Sequence, residues 1–445
     1  MGGLVSGLSA YLNSLRSSSF TKASYVWVGW PGVAVNEKAR PELRNRLQRE
    51  FRAHPVFVSE RSMDQFYFGF CNKTLWPLFH YFPSYAAYDE GDWAQYQAVN
   101  KAFCNAVLEV VQPDDVIWVH DYHLMLLPKL LREQLPTNRI GFFLHIPFPS
   151  YEIFRLLPNV WHRSILEGLL GADLIGFHTE DYMGYFLNCL ARMCGLNPES
   201  GTVRAGDRTV QAGAFPMGID FQKYAQASSA AEDTDEMREI RAALGKAKVI
   251  LSIDRLDYSK GILNRLQAYE AFLSINPQWR GMAVLAMVVV PSRVGVEDYQ
   301  RTKRRIDEMV GRINGRFGSL GWTPILYQYR FLPLDPLVAL YRLSDVALVT
   351  PLRDGMNLIA KEYIAARGAQ TGVLILSEMA GAAVELTEAI ITNPNDIRQI
   401  AEAIKYALEM PEEEQVRRNR EMQRKLQKYD VVHWAGDFLH TLQGD

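Results

Sequence analysis

The residues best equipped for chemistry sit in short loops that follow apolar runs. Thr350-Pro351-Leu352-Arg353-Asp354-Gly355-Met356-Asn357-Leu358 puts a carboxylate, a glycine and an amide into one turn. The run 345–349 before it reads as a buried parallel strand, and 358–367 after it reads as a helix. A turn from strand into helix points unpaired backbone N–H groups outward, and the helix dipole adds positive potential there. That suits a phosphate. Glu362 lies eight residues past Asp354, about two helical turns along, where a carboxylate can accept from the two neighbouring hydroxyls of a ribose. A capped helix start with a solvated glutamate would give the same pattern.

A second loop, Asp254-Arg255-Leu256-Asp257-Tyr258-Ser259-Lys260-Gly261, follows the run 249–253. Arg255 and Lys260 are cations spaced across a loop that opens a helix. With the turn at 354–358 they can clamp a diphosphate, although Asp254 and Asp257 offer them salt-bridge partners instead. A third run, 283–290, ends in Pro291-Ser292-Arg293 and places another cation at a strand end. In the first half, runs at 116–119, 140–144 and 174–177 end in His120-Asp121-Tyr122-His123, in His145 and in His178-Thr179-Glu180. Any one of these histidines is explained as a satisfied structural group. Gathered at strand ends without a zinc-ligand spacing, they point to hydrogen bonding of a sugar and to no metal. Trp27, Trp30, Tyr67, Phe68, Trp76, Phe79, His80 and Tyr81 fall in a stretch read as loop-rich. There Trp30 precedes Pro31-Gly32 and Tyr67 precedes Gly69, so both read as aromatics at turns, suited to covering sugar rings.

These loops need a scaffold that brings strand ends together. Strand-length apolar runs at 23–28, 55–58, 115–119, 140–144, 174–177, 210–214, 249–253, 283–290, 325–329, 346–349 and 373–376 alternate with helical patterns such as 123–132, 182–193 and 261–275. That alternation predicts an α/β doubly wound architecture, in which ligands bind at the carboxyl ends of strands. Pro216-Met217-Gly218-Ile219-Asp220 and the polar stretch 226–235 mark a boundary that divides the chain into halves with their own strands. The amphipathic tail 431–442, with Trp434 and Phe438, is expected to pack back across that boundary.

The 445 residues exceed one ordinary core. Apolar residues make up 48% and charged residues 22%, an ordinary globular balance, and a net charge of −2 gives no field for nucleic acid or an anionic membrane. The cluster Arg301, Lys303, Arg304, Arg305 reads as a solvated helix face. Cys71, Cys104, Cys189 and Cys194 form no C-x-x-C pair and read as thiols in a reducing compartment. The longest apolar run is too short to span a bilayer, and no signal peptide is visible. Met1–Ser6 fits a loose myristoylation pattern and Asn72-Lys73-Thr74 a formal glycosylation sequon, yet the expectation is a cytoplasmic protein.

Taken together, Gly2-Gly3-Leu4, Trp27-Val28-Gly29-Trp30, Leu75-Trp76-Pro77-Leu78-Phe79-His80-Tyr81, His120-Asp121-Tyr122-His123-Leu124, Phe142-Phe143-Leu144-His145-Ile146-Pro147-Phe148-Pro149, Arg255-Leu256-Asp257-Tyr258-Ser259-Lys260-Gly261, Gly311-Arg312-Ile313-Asn314-Gly315 and Arg353-Asp354-Gly355-Met356-Asn357-Leu358 closely resemble the trehalose-6-phosphate synthase family, in order and over essentially the whole chain. The resemblance implies a GT-B retaining glycosyltransferase with two Rossmann-like domains facing across a cleft. It implies an acceptor domain at 1–218, joined by a returning helix at about 430–445, and a nucleotide-sugar donor domain at 219–429. The implied reaction moves glucose from UDP-glucose to glucose 6-phosphate and releases UDP, without metal or cofactor. Both substrates are small molecules, and a homo-oligomer is compatible with the family.

Residue roles follow from the same resemblance. It assigns the donor to Gly2, Gly3, Arg255, Lys260, Phe331, Leu332, Asp354, Gly355, Met356, Asn357, Leu358 and Glu362, and the acceptor to Trp30, Tyr67, Trp76, Asp121 and Arg293. The catalytic set is Asp121, His145, Arg255, Lys260 and Asp354. The family carries a strand and an arginine-bearing loop ahead of its glycine loop; this sequence starts at Met1-Gly2-Gly3, so a truncated start or an altered acceptor site is expected. The alternatives are a sibling transferase with another acceptor, such as a glucosylglycerol-phosphate synthase or a pseudo-glycosyltransferase, and a regulatory subunit with a degraded donor site.

Overall fold

The computed structural model describes residues 7–13, 25–230, 238, 241–242, 245–293, 296–369 and 371–444. The chain divides into two compact units, Met1–Pro216 with Trp434–Asp445, and Met217–His433. Gly2 and Gly3 lie outside the described residues.

In the first unit, β1 (Trp27–Gly29) and β2 (Ala53–Pro55) form a parallel pair. A second sheet contains β3 (Ile117–His120), β4 (Ile140–Phe143), β5 (Leu174–Phe177), β6 (Thr202–Ala205) and β7 (Arg208–Ala214) in the order β3-β4-β5-β7-β6. All neighbours are parallel except β6 with β7. Every residue of β4 and β5 is buried, as continuous apolar strands covered on both faces must be. Trp434 and Phe438 of the C-terminal helix Val431–Gln443 pack on this sheet: Phe438 stacks on Trp118 at 4.7 Å, and Trp434 meets Phe143 edge-on at 5.0 Å. Glycine is required beneath them, because a Cβ at Gly141 would stand 2.7 Å from the Phe438 ring.

The second unit is built on one parallel sheet of six strands: β8 (Lys248–Arg255), β9 (Ala283–Val290), β10 (Ile325–Tyr329), β11 (Val346–Val349), β12 (Val373–Ser377) and β13 (Ile390–Thr392). Their order is β10-β9-β8-β11-β12-β13. The chain thus winds outward from β8 in one direction, then restarts at β11 on its other side. The topological switch point, where the crossover helices diverge and leave a crevice, lies between β8 and β11. Alternate strand residues supply two cores. Val249, Leu251, Ala347 and Leu374 face one layer of helices, and Ile250, Leu285, Val346 and Ile375 face the other.

Several local expectations are corrected. The stretch around Tyr67 and Trp76 is helical, not loop-rich: a wide π-helical segment Asp64–Leu75 runs into Trp76–Phe79. Gly69 sits inside it because a side chain there would collide with the Asp92 carboxylate, at 2.4 Å; it marks close approach of two helices and no turn. The helix expected at 123–132 is a short 3-10 turn, Tyr122–Leu124, followed by Leu127–Gln134, with Pro128 in its first turn. Of the run expected at 23–28, residues 23–24 lie outside the described residues and the strand itself is Trp27–Gly29; the second strand lies at Ala53–Pro55, ending where the run 55–58 was expected to begin. The edge strands β6 and β13 carry too little apolar pattern to be read from sequence. Asn72 of the sequon is buried, its amide donating to the Tyr67 carbonyl at 2.6 Å and accepting from the Tyr122 hydroxyl at 3.2 Å.

Candidate functional site

In the second unit the two chemical loops emerge side by side at the switch point. After β8 the chain makes a 3-10 turn, Tyr258–Lys260, capped by Asp257, and then turns sharply at Gly261. Gly261 has φ +67°, and a Cβ there would lie 2.4 Å from the Thr350 carbonyl oxygen at the end of β11. Glycine therefore lets the two strand ends approach. The Ser259 carbonyl accepts from the Leu352 and Arg353 N–H groups at 2.8 and 3.3 Å, joining the loops directly.

That junction places Lys260 Nζ 2.6 Å from Asp354 Oδ2, with side chains 8% and 14% exposed. Asn357 donates from Nδ2 to the same oxygen at 3.0 Å, and its Oδ1 accepts the Ala360 N–H at 3.2 Å. Asn357 thus caps the helix Leu358–Ala366 while orienting Asp354. It does so in a left-handed conformation, φ 69°, which asparagine tolerates better than most residues. Gly355 and Met356 lie against Gly381 and Ala382: a Cβ at Gly381 would meet the Gly355 carbonyl at 2.1 Å, and Ala382 donates to the Met356 carbonyl at 2.8 Å. Met356 and Leu332 bury their side chains in the core, so each can offer a ligand only its backbone. Phe331 is exposed, and so is Arg255.

Buried groups behind the loops hold them in place. Arg265 is fully buried and donates to Ser252 at 2.7 Å, to the Leu348 carbonyl at 3.1 Å, to the Lys260 carbonyl at 2.5 Å and to Asp254. The salt-bridge alternative for this loop is thereby partly realised, with Arg265 on Asp254 and Arg293 on Asp257, while Lys260 pairs with Asp354. Burial still raises the Asp254 carboxyl above its ordinary value, opposed by Arg265 and Lys260. Glu362 accepts from the Tyr341 hydroxyl at 2.9 Å and from Tyr224, and burial raises its carboxyl above the usual range. Neither Arg265 nor the two tyrosines was singled out from sequence; a buried arginine on an amphipathic helix has no local signature.

The first unit gathers His120, His145 and His178 at three adjacent strand ends. His120 ends β3, and Asp121 follows it with φ 73°, its Oδ1 accepting from the Tyr122 and His145 N–H groups at 3.0 and 3.3 Å. His120 Nδ1 lies 3.1 Å from His145 Nε2, and the His145 ring meets His178 at 5.5 Å. Burial disfavours the charged form, holding His120 down to about 3, and burial together with the neighbouring His120 and His178 holds His145 well below its ordinary value. Tyr67 stacks on His123 at 5.6 Å, and Trp76 is buried against His80 at 4.0 Å. Trp30 is exposed and lies just after β1.

The model of glycosyltransferase family 20 matches residues 3–444. The chain belongs to glycosyltransferase family 20. It is 50% identical over 443 residues to the bifunctional trehalose-6-phosphate synthase/phosphatase of Thermoproteus tenax, covering 99% of this chain and 60% of that one. It is 43% identical over 441 residues to the UDP-forming α,α-trehalose-phosphate synthase A of Dictyostelium discoideum, covering 99% and 58%. The chain thus spans about three fifths of the length of these two relatives. Among solved structures, a UDP-forming α,α-trehalose-phosphate synthase from Burkholderia xenovorans in complex with glucose-6-phosphate superposes with a TM-score of 0.91 at 37% identity, covering 100% of this chain and 96% of that one. With its two parallel-sheet units, this family-20 chain has the GT-B fold.

Proposed function

We propose that the chain is an α,α-trehalose-6-phosphate synthase, transferring glucose from UDP-glucose to the anomeric hydroxyl of glucose 6-phosphate with retention and releasing UDP. The observation that carries this reading is the Lys260–Asp354–Asn357 cluster at the switch point of the six-stranded sheet, in a family whose relatives bear that activity in their names. The retained cluster also speaks against a regulatory subunit with a degraded donor site.

In this reading Arg255 and Lys260 hold the donor diphosphate, and Asp354 with the backbone from Gly355 to Leu358 holds donor glucose hydroxyls and phosphate. Glu362 accepts from the ribose, next to Phe331 and Leu332 at the base. Asp121, His145, Trp30, Tyr67 and Trp76 serve the acceptor sugar, and Arg293 its phosphate. Retention follows from attack on the face the diphosphate leaves, and the departing phosphate oxygen takes the acceptor proton. The developing negative charge meets a preorganised ammonium at Lys260 and the N–H groups opening the helix at Leu358, which need no reorganisation as the bond breaks. His145, kept neutral by its surroundings, hydrogen-bonds a hydroxyl without placing a second positive charge beside an oxocarbenium ion.

The reading also places the protein in the cytoplasm, in keeping with four cysteines that carry thiols and no disulfide; among the described residues no helix is long and apolar enough to cross a membrane. The test is incubation with UDP-glucose and glucose 6-phosphate, following UDP release and the appearance of a non-reducing disaccharide phosphate. UDP release indifferent to the acceptor, or turnover confined to ADP- or GDP-glucose, overturns the assignment.

A further inference from the structure

We infer that Asp257 is a positioning residue that sets the donor cation Lys260 and the acceptor cation Arg293 together, one through each oxygen of a single buried carboxylate; this rests on the donor and acceptor roles proposed above. Asp257 is 2% exposed. Its Oδ1 accepts the Ser259 N–H at 2.9 Å and so caps the turn Tyr258–Lys260, which fixes the backbone that carries Lys260. Its Oδ2 accepts from Arg293 Nη1 and from the Tyr299 hydroxyl, both at 3.1 Å. Arg293 also donates to that hydroxyl, closing a triangle of carboxylate, guanidinium and phenol.

Arg293 adopts φ 47°, a left-handed backbone that costs an arginine energy and persists only where the surroundings enforce it. The triangle is that enforcement. Tyr299 is fully buried in the first turn of the helix Glu297–Phe317 and cannot drift. The side chain of Arg293 is 5% exposed, so its position is that of the triangle. The Asp257 charge makes burial of the guanidinium tolerable. Because the same carboxylate caps the Lys260 turn, a displacement of Asp257 moves both cations.

Tyr299→Phe removes the hydroxyl that braces Arg293 while leaving the Oδ1 cap intact, and Asp257→Asn weakens both arms. For Tyr299→Phe, steady-state kinetics should show KM for glucose 6-phosphate raised about fivefold, the loss of one hydrogen bond. KM for UDP-glucose should stay at the wild-type value, and so should turnover with unphosphorylated glucose as acceptor. For Asp257→Asn, both KM values should rise. Equal changes for both substrates in Tyr299→Phe, or a rise in only one KM in Asp257→Asn, overturn the inference. A wild-type enzyme that does not use glucose 6-phosphate overturns the functional reading instead, so the two failures are distinct.

Discussion

Replacing Asp354 by asparagine isolates the buried ion pair at the centre of the proposed donor site. Lys260 Nζ and Asp354 Oδ2 are 2.6 Å apart, and only 8% and 14% of their side chains are exposed. The neighbouring carboxylate, Asp254, is already engaged by Arg265. An ammonium enclosed in this way depends on its counter-charge, and removing one partner of such a pair costs about 3–5 kcal/mol. An amide at 354 keeps a dipole on Lys260, so the lower end, about 3 kcal/mol, applies. For a domain of this size that lowers the melting temperature by about 9 °C. In the proposed donor site UDP brings a diphosphate to the same ammonium and restores the missing negative charge. In thermal denaturation, saturating UDP should therefore raise the melting temperature of Asp354→Asn by more than it raises that of the wild type. The double variant Lys260→Met/Asp354→Asn, in which neither member of the pair is charged, should recover most of the lost stability without ligand. An unliganded Asp354→Asn protein that melts with the wild type, or a UDP increment identical in the two, refutes the reasoning.

Gly261→Ala would force a Cβ to within 2.4 Å of the Thr350 carbonyl at φ +67°; urea denaturation should show a loss of about 2 kcal/mol or more, and an unchanged midpoint would show that the loops do not need this contact. Glu362 has a carboxyl raised by burial, and its ionised form is the proposed ribose acceptor. Calorimetric titration should therefore find UDP affinity weakening as pH falls, already above pH 4.5 where an ordinary glutamate remains ionised. Glu362→Gln should bind more weakly at neutral pH and lose that dependence; a variant that keeps it assigns the titration elsewhere. His120 is protonated in the unfolded chain below pH 6.5 but in the folded chain only near 3. Stability should fall with pH across that window, by at most about 1.4 kcal/mol per pH unit. His120→Asn should flatten the slope between pH 7 and pH 5; a slope identical to wild type counts against a buried neutral imidazole.

What the sequence by itself determined is local. Strands at 174–177, 283–290 and 346–349 were legible because a strand buried on both faces must be apolar throughout, and the same residues are strands in the structure. The Asp354 turn was legible because a strand, a glycine and a helix cap are consecutive. Tyr67 and Gly69 misled, since glycine serves a close helix contact as readily as a turn, and sequence does not reveal that Asp92 lies opposite. The partner of each charge was beyond reach for a related reason. Lys260 meets Asp354 across 94 residues, and Arg293 meets Asp257 across 36; no spacing rule links such pairs. Their meeting depends on the order of the sheet, which sets β11 beside β8 and makes a crevice of two loops that the sequence holds far apart. Tertiary structure alone decided which carboxylate faces which cation, because that choice follows from strand neighbours and burial.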